Sequence, residues 1–197
     1  MAVASPREVL EFWFPDDQAR ANALWWGKSA ELDAEIRERF AETRAAAKAG
    51  ELDHWTGDAE GRLALIVVLD QLSRNLFRGD PETHAADDKA LAIALEGIER
   101  GDDQAVPPRE RLFYYLPLEH AEDLSMQDRC VELVRRLAVD LAAASGGTQS
   151  FDGYIDFAIR HRDIVARFGR FPHRNALLGR ESTPEEIEFL KQPGSGF

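Results

Sequence analysis

Apolar residues recur along this chain at three- and four-residue spacings, punctuated by capping residues, prolines and glycines. Ser5-Pro6-Arg7-Glu8 reads as a capping box with proline at the first helical position, where its missing N–H costs nothing. It opens a short helix carrying Val9, Leu10, Phe12 and Trp13, closed before Pro15, and a second short segment leads to Trp25 and Trp26. Ser29 is placed to cap a long helix with Leu32, Ile36 and Phe40 on one face, ending at Gly50. The pattern predicts a helix over 61–77 with Gly79 beyond it, and another from Glu82 or Thr83 to Arg100. Pro107-Pro108 starts a short helix through Tyr115, interrupted at Pro117. Ser125 opens one to about Ser145, broken by Gly146-Gly147, and Phe151 to Phe168 is amphipathic up to Gly169. Thr183-Pro184-Glu185-Glu186 repeats the capping box for a last short helix.

No segment sustains a period of two, so strands are not required. The expectation is an all-α fold: one domain over 1–197, built of antiparallel helix pairs as a bundle or a tetratricopeptide-like array. No clean repeat of about 34 residues supports the array from period alone. The tail 192–197, with its Pro-Gly-Ser-Gly, is expected to fray.

Composition strengthens the helical reading: Ala occurs 28 times against 22 for Val, Ile and Thr together. Alanine loses no side-chain entropy in a helix, whereas β-branched residues lose χ1 freedom. The formal charge of −12 argues against nucleic acid and anionic membranes as partners. The longest apolar run, Leu63 to Leu69, is far too short to span a bilayer, and no signal peptide is evident, so a cytoplasmic protein is expected. Cys130 is the single cysteine, so no intramolecular disulfide forms, and it reads as a packed thiol rather than a nucleophile.

Three stretches could carry chemistry. In the first, helix 61–77 begins apolar nearly all round, the profile of an interior helix. It then places Asp70, Gln71, Arg74, Asn75 and Arg78 in one polar stripe. Asp70 prolongs the apolar face of Ile66 and Val67, where a carboxylate is costly unless paired, and Arg74 one turn on is the obvious partner. The stripe lines a polar cleft or faces solvent as a surface ion pair.

The second stretch, 160–180, holds six arginines, His161 and His173 but only one acid, Asp163. Its net +5 leaves −17 for the rest of the chain. Guanidinium forks suit carboxylate or phosphate, which makes Arg170 and Arg174 anion-binding candidates; the alternative is pairing with the chain's own carboxylates. His161 shares helical spacing with Phe157, Ile164, Val165 and Phe168 and so points inward, as a hydrogen-bonded core residue or a ligand contact. Gly169 permits a left-handed exit, and Pro172 then starts a turn holding His173, Arg174 and Asn175, whose amides would favour an anion.

The third stretch is Glu119, His120 and Glu122, just past Pro117, suited to general-base work or a weak metal site, or else to capping the next helix. It lacks the two-histidine spacing of zinc helices, and no ligand set emerges, so neither a metal nor another cofactor is expected.

The stretches Val9-Leu-Glu-Phe-Trp-Phe14, Trp25-Trp26, Leu69-Asp-Gln-Leu-Ser-Arg-Asn-Leu-Phe-Arg-Gly79, Tyr115-Leu-Pro-Leu-Glu-His120, Arg167-Phe-Gly-Arg-Phe-Pro-His-Arg-Asn175 and Leu178-Gly-Arg180 resemble the bacterial family of unknown function DUF924 over nearly the whole chain. One departure is Leu72-Ser73, where the family pattern more often reads Phe-Pro. The resemblance implies a tetratricopeptide-like helical fold and brings no activity with it.

From the residues, the expectation is a pocket for a small anionic molecule. Arg74, Asn75, Arg78, His161, Arg170 and Arg174 would bind the ligand, His120 and His173 transfer protons, and Asp70 and Glu119 orient them. The rival is an interaction module gripping an acidic peptide or partner protein in a helical groove, for which fold analogy is the only support. A third possibility is a network of buried ion pairs that only knits helices together. Self-association into a homo-oligomer is compatible with every one of these.

Overall fold

The chain is all-α, and the computed structural model describes residues 2–147 and 150–196. In chain order the helices are α1 (Pro6–Trp13), α2 (Gln18–Trp26), α3 (Ala30–Ala49), α4 (Ala59–Ile66), α5 (Leu72–Leu76), α6 (Asp87–Arg100), α7 (Asp102–Ala105), α8 (Pro108–His120), α9 (Leu124–Ala144), α10 (Asp152–Phe168) and α11 (Pro184–Leu190). Both capping boxes form as read, on Ser5 with Glu8 and on Thr183 with Glu186. Ser29 caps α3, and Gly50, Gly101 and Gly169 end α3, α6 and α10 in the left-handed conformation.

Two compact units emerge, one from Met1–Arg78 and Glu82–Pro117, the other from Gly79–Pro81 and Leu118–Phe197. The first is organised around α4 and α5. Every residue from Leu63 to Leu69 is fully buried, as the all-round apolar run requires. The helix predicted over 61–77 is not uniform, because a π turn occupies Val67–Gln71 and the Leu72 amide reaches back five residues to the Val67 carbonyl. That widened turn carries Asp70 and Gln71 into the interior along with Val67 and Leu69.

Arg62 is also fully buried here. Its guanidinium donates to Asp102 at 2.9 Å, Glu96 at 3.1 Å and the carbonyls of Thr56 and Ile93 at 2.9 and 3.3 Å. Gly97 makes the room: a Cβ there would lie 2.5 Å from Arg62 Cδ and 2.8 Å from Tyr114 Cε1.

Two boundaries differ from the sequence reading. The segment expected as one helix from 82 or 83 is a 3₁₀ turn (Pro81–His84) followed by α6. Pro117 does not end α8, which continues through it to His120. Two tyrosines anchor the stretch before the proline, Tyr114 donating to the Ala59 carbonyl at 2.6 Å and Tyr115 to Asp103 at 2.7 Å.

In the second unit α9 and α10 pair antiparallel, Arg162 near the end of α10 reaching Asp128 near the start of α9. Cys130, Val134 and Leu137 on α9 are buried, as are Ala158, Ile164 and Val165 on α10. Phe171, Phe168 and Phe189 extend the cluster around Ile164 and Val165. Asp123 rather than Ser125 caps α9, its carboxylate accepting from the amides of Ser125 and Met126 at 2.8 and 3.1 Å. Gln127 ties off the end of α8, donating to the carbonyls of Leu118, Glu119 and Ala121 at 3.3, 2.6 and 2.8 Å. In the tail, Ser195 bonds back to Gln192 and Leu190, and Phe197 lies outside the described residues.

A candidate anion site of imidazoles and arginine

Each unit holds part of the residue set that the sequence singles out. In the first, Asp70 on the π turn is fully buried and lies 3.0 Å from Arg74, the pairing expected from one turn of helix. Gln71 donates to the other Asp70 oxygen, and Arg74 also meets Asp87 at 3.2 Å. His84 Nδ1 stands 2.9 Å from Asp87. Arg78 donates through two nitrogens to Asp33, at 2.8 and 2.9 Å, and Asn75 donates to the same carboxylate at 2.9 Å. The interior end of the stripe is buried at Asp70, while Arg78 at its far end stays exposed. Its cations meet carboxylates of the chain itself.

The second unit gathers the rest. Arg170 grips Glu186 through two nitrogens at 2.7 and 2.8 Å, and Arg180 grips Glu122 the same way at 2.5 and 2.9 Å. Glu186 also accepts from Asn175 and from the Thr183 amide, and the Arg170 fork is the main reason its carboxylate titrates at about 2. Burial pushes Glu122 upward, but Arg180, the Phe171 amide and the charge of Arg174 outweigh it and hold the group below the usual range. Glu122 therefore braces the turn that carries His173 and Arg174 and does not cap α9.

Between these braces lie three imidazoles and a guanidinium. His161 on α10 is buried, as its spacing with Phe157 and Ile164 predicts, and its ring sits 4.7 Å from that of Phe157 and 5.6 Å from that of Phe171. The His120 ring, on the last turn of α8, is 6.5 Å from it. His173 stands 5.6 Å from Phe171, and the Arg174 guanidinium lies over the Phe171 ring at 4.4 Å while donating to the His120 carbonyl at 3.0 Å. Glu119 is buried, one oxygen 3.8 Å from His161 Nδ1. The tail passes close by: a Cβ on Gly196 would lie 3.4 Å from the Cβ of His173.

Electrostatics here disfavour a further positive charge on His161. Burial is the largest influence on His161, followed by a raising hydrogen bond from its Nδ1 to the Phe157 carbonyl and then by the positive charges of His120, Arg174 and His173. The net result is a pKa of about 3, so the ring is neutral at ordinary pH. Cys130 is buried and its thiol is pushed well above the ordinary range, first by burial and then by Glu119, which leaves it protonated and unreactive. Among the described residues, no group of three or more His, Cys, Asp or Glu side chains is arranged to hold a metal ion.

The π turn went unread in the sequence, and pairing of the arginines with the chain's own carboxylates was open as an alternative without its partners. Glu186 was visible only as a capping residue, and Phe171 carried no role in the sequence reading. A signal did exist for Glu186, since a capping-box acid downstream of a basic island is well placed to serve both.

No helix among the described residues is long and apolar enough to cross a membrane. No curated protein matches the chain. A solved structure of a protein of unknown function from Agrobacterium tumefaciens is similar, with 42% identity, a TM-score of 0.77, and coverage of 94% of this chain and 96% of that one. The family described as bacterial protein of unknown function (DUF924) matches residues 9–194. With that match over nearly its full length, the chain belongs to the DUF924 family.

Proposed function

We propose that the second unit binds a small anionic molecule at the cluster of His120, His161, His173 and Arg174. The observation that carries the reading is the convergence of three imidazoles and a guanidinium around the aromatic rings of Phe157 and Phe171. Other arginines of the basic island, Arg170 and Arg180, are forked onto Glu186 and Glu122 and serve to brace this turn. His120 and His173 are half-buried, so they are the groups placed to meet a ligand from solvent and to exchange protons with it, with the Phe157 carbonyl orienting the ring of His161 and Glu119 buried beside it. Arg74, Asn75, Arg78 and Asp70 take a structural role in this reading, holding the π-turn helix to α3 and α6.

The rival reading is a tetratricopeptide-like groove for an acidic peptide. The open cavity between α9 and α10, about 340 Å³, is lined by Asp128, Glu132 and Asp163 against Arg135 and Arg162. Its surplus of acid disfavours that occupant. We also infer a cytoplasmic setting, in keeping with the acidic charge and the single reduced cysteine.

The test is a thermal-shift screen against phosphorylated and carboxylated metabolites, acidic peptides and divalent metals. A ligand at about 100 times its Kd should add about 2.7 kcal/mol, or roughly 5–11 °C. A metabolite shift present in Arg78→Ala and lost in Arg174→Ala supports the site. A peptide-only response favours the groove.

A further inference from the structure

His161 enters the cluster with a fixed tautomer. Its Nδ1–H donates to the Phe157 carbonyl at 3.0 Å, because a carbonyl can only accept, and the ring's lone pair is therefore on Nε2. The charged and titratable groups facing the ring come from several elements. From α8 come His120 and the Glu119 carboxylate, and from the turn Pro172–Arg174 come His173 and Arg174. From α9 Cys130 lies against Glu119 as a neutral thiol, and Phe157 and Phe171 form the ring's apolar walls.

A proton on Nε2 would add one more positive group beside His120, His173 and Arg174, with Glu119 as the buried carboxylate near it. An anion held among those groups reverses that penalty. We infer that the cluster takes up its anion together with a proton from solvent, carried on Nε2 of His161, and that the ligand class is a small tetrahedral oxyanion such as phosphate or sulfate. This rests on the anion-binding reading above and deepens it. No bond on the ligand is made or broken, and the proton returns to solvent when the anion leaves.

A multiply charged oxyanion suits the site better than a single carboxylate, because three imidazoles and a guanidinium are gathered in one cluster. An opposite charge within about 4–6 Å raises an imidazole's pKa by about 1–3 units, so a doubly charged ion carries His161 from about 3 into the mildly acidic range. Binding then strengthens as pH falls, up to about tenfold per pH unit for each proton taken up.

The probe is sulfate, whose own charge is constant over the range, titrated calorimetrically into the full chain at about pH 5.5 and 7.5 in buffers of differing ionisation enthalpy. Proton uptake at the lower pH is expected to be larger in the wild type than in His161→Gln, by up to about three-quarters of a proton, with sulfate bound up to about fourfold more tightly at the lower pH. Sulfate binding without proton uptake, or with equal uptake in His161→Gln, overturns the inference while leaving the anion site standing. Absence of sulfate binding at either pH overturns the anion site as well. Should His161→Gln fail to fold, the ring ¹⁵N resonances of the wild type decide: Nε2 of His161 is expected to become protonated on saturation with sulfate at about pH 5.5, and an unchanged resonance refutes the proposal.

Discussion

Acidification from neutrality to about pH 5 should weaken the second unit through His161. Burial of the ring between Phe157 and Phe171, with positive charge around it, lowers its pKa in the fold from 6.5 to about 3. The sign follows from proton binding. Above about pH 6.5 the ring is neutral folded and unfolded, and the packing contributes in full. Between that pH and about 3 the unfolded chain binds a proton that the fold refuses, so stability falls as pH falls. One pKa unit is worth about 1.4 kcal/mol, so the loss by pH 5 is about 2 kcal/mol. Glu186 and Glu122 have lowered pKa values and keep their contributions over this window, since they are lost only as pH drops below the usual carboxylate range. Urea denaturation at pH 7 and 5, in buffers without sulfate or phosphate, gives the difference directly. His161→Gln removes the titration, so the variant should show about 2 kcal/mol less acid sensitivity than the wild type while other histidines cancel in the comparison. Equal acid sensitivity in both proteins would mean that His161 protonates in place, and the electrostatic account of the cluster would be refuted.

Gly97→Ala should cost about 1–3 kcal/mol in chemical denaturation, because the new methyl meets Arg62 and Tyr114 at distances no packed pair adopts; an unchanged midpoint would show that Arg62 can move aside. Glu186→Ala breaks the Arg170 fork, the Asn175 bond and the capping box together, with a loss of about 3 kcal/mol expected near neutral pH. With that carboxylate titrating at about 2, the loss should be full above about pH 4.5 and shrink as pH falls toward 2, which a pH series of melting curves would reveal. Cys130 should resist iodoacetamide in the native protein and react on unfolding; rapid native labelling would contradict its buried, protonated state.

Much of this was readable one turn at a time. The spacing of His161 with Phe157, Ile164 and Val165 placed it inside, and the four-residue step from Asp70 to Arg74 gave an ion pair, because both depend only on helical period. Period could not show the π turn at Val67–Gln71, since an apolar run fits the narrow and the wide turn alike. Pro117 was read as a stop because it removes a helical donor, yet α8 passes through it, with Tyr114 and Tyr115 bonded on one side and Gln127 closing the end on the other. The fates of the arginines depended on partners far along the chain. Composition revealed a basic island, but not that Arg180 would find Glu122, that Arg78 would find Asp33, or that Arg174 would lie on Phe171 beside three imidazoles.

The central claim is that the imidazole–arginine cluster, and not the polar stripe on the π-turn helix, receives an anion. Calorimetric titration of inorganic phosphate into the wild type, Arg174→Met and Arg78→Met tests it most directly. The account predicts one phosphate bound by the wild type and by Arg78→Met with the same affinity, and a loss of at least about tenfold, or about 1.4 kcal/mol, in Arg174→Met. Phosphate affinity lost in Arg78→Met and retained in Arg174→Met would contradict it.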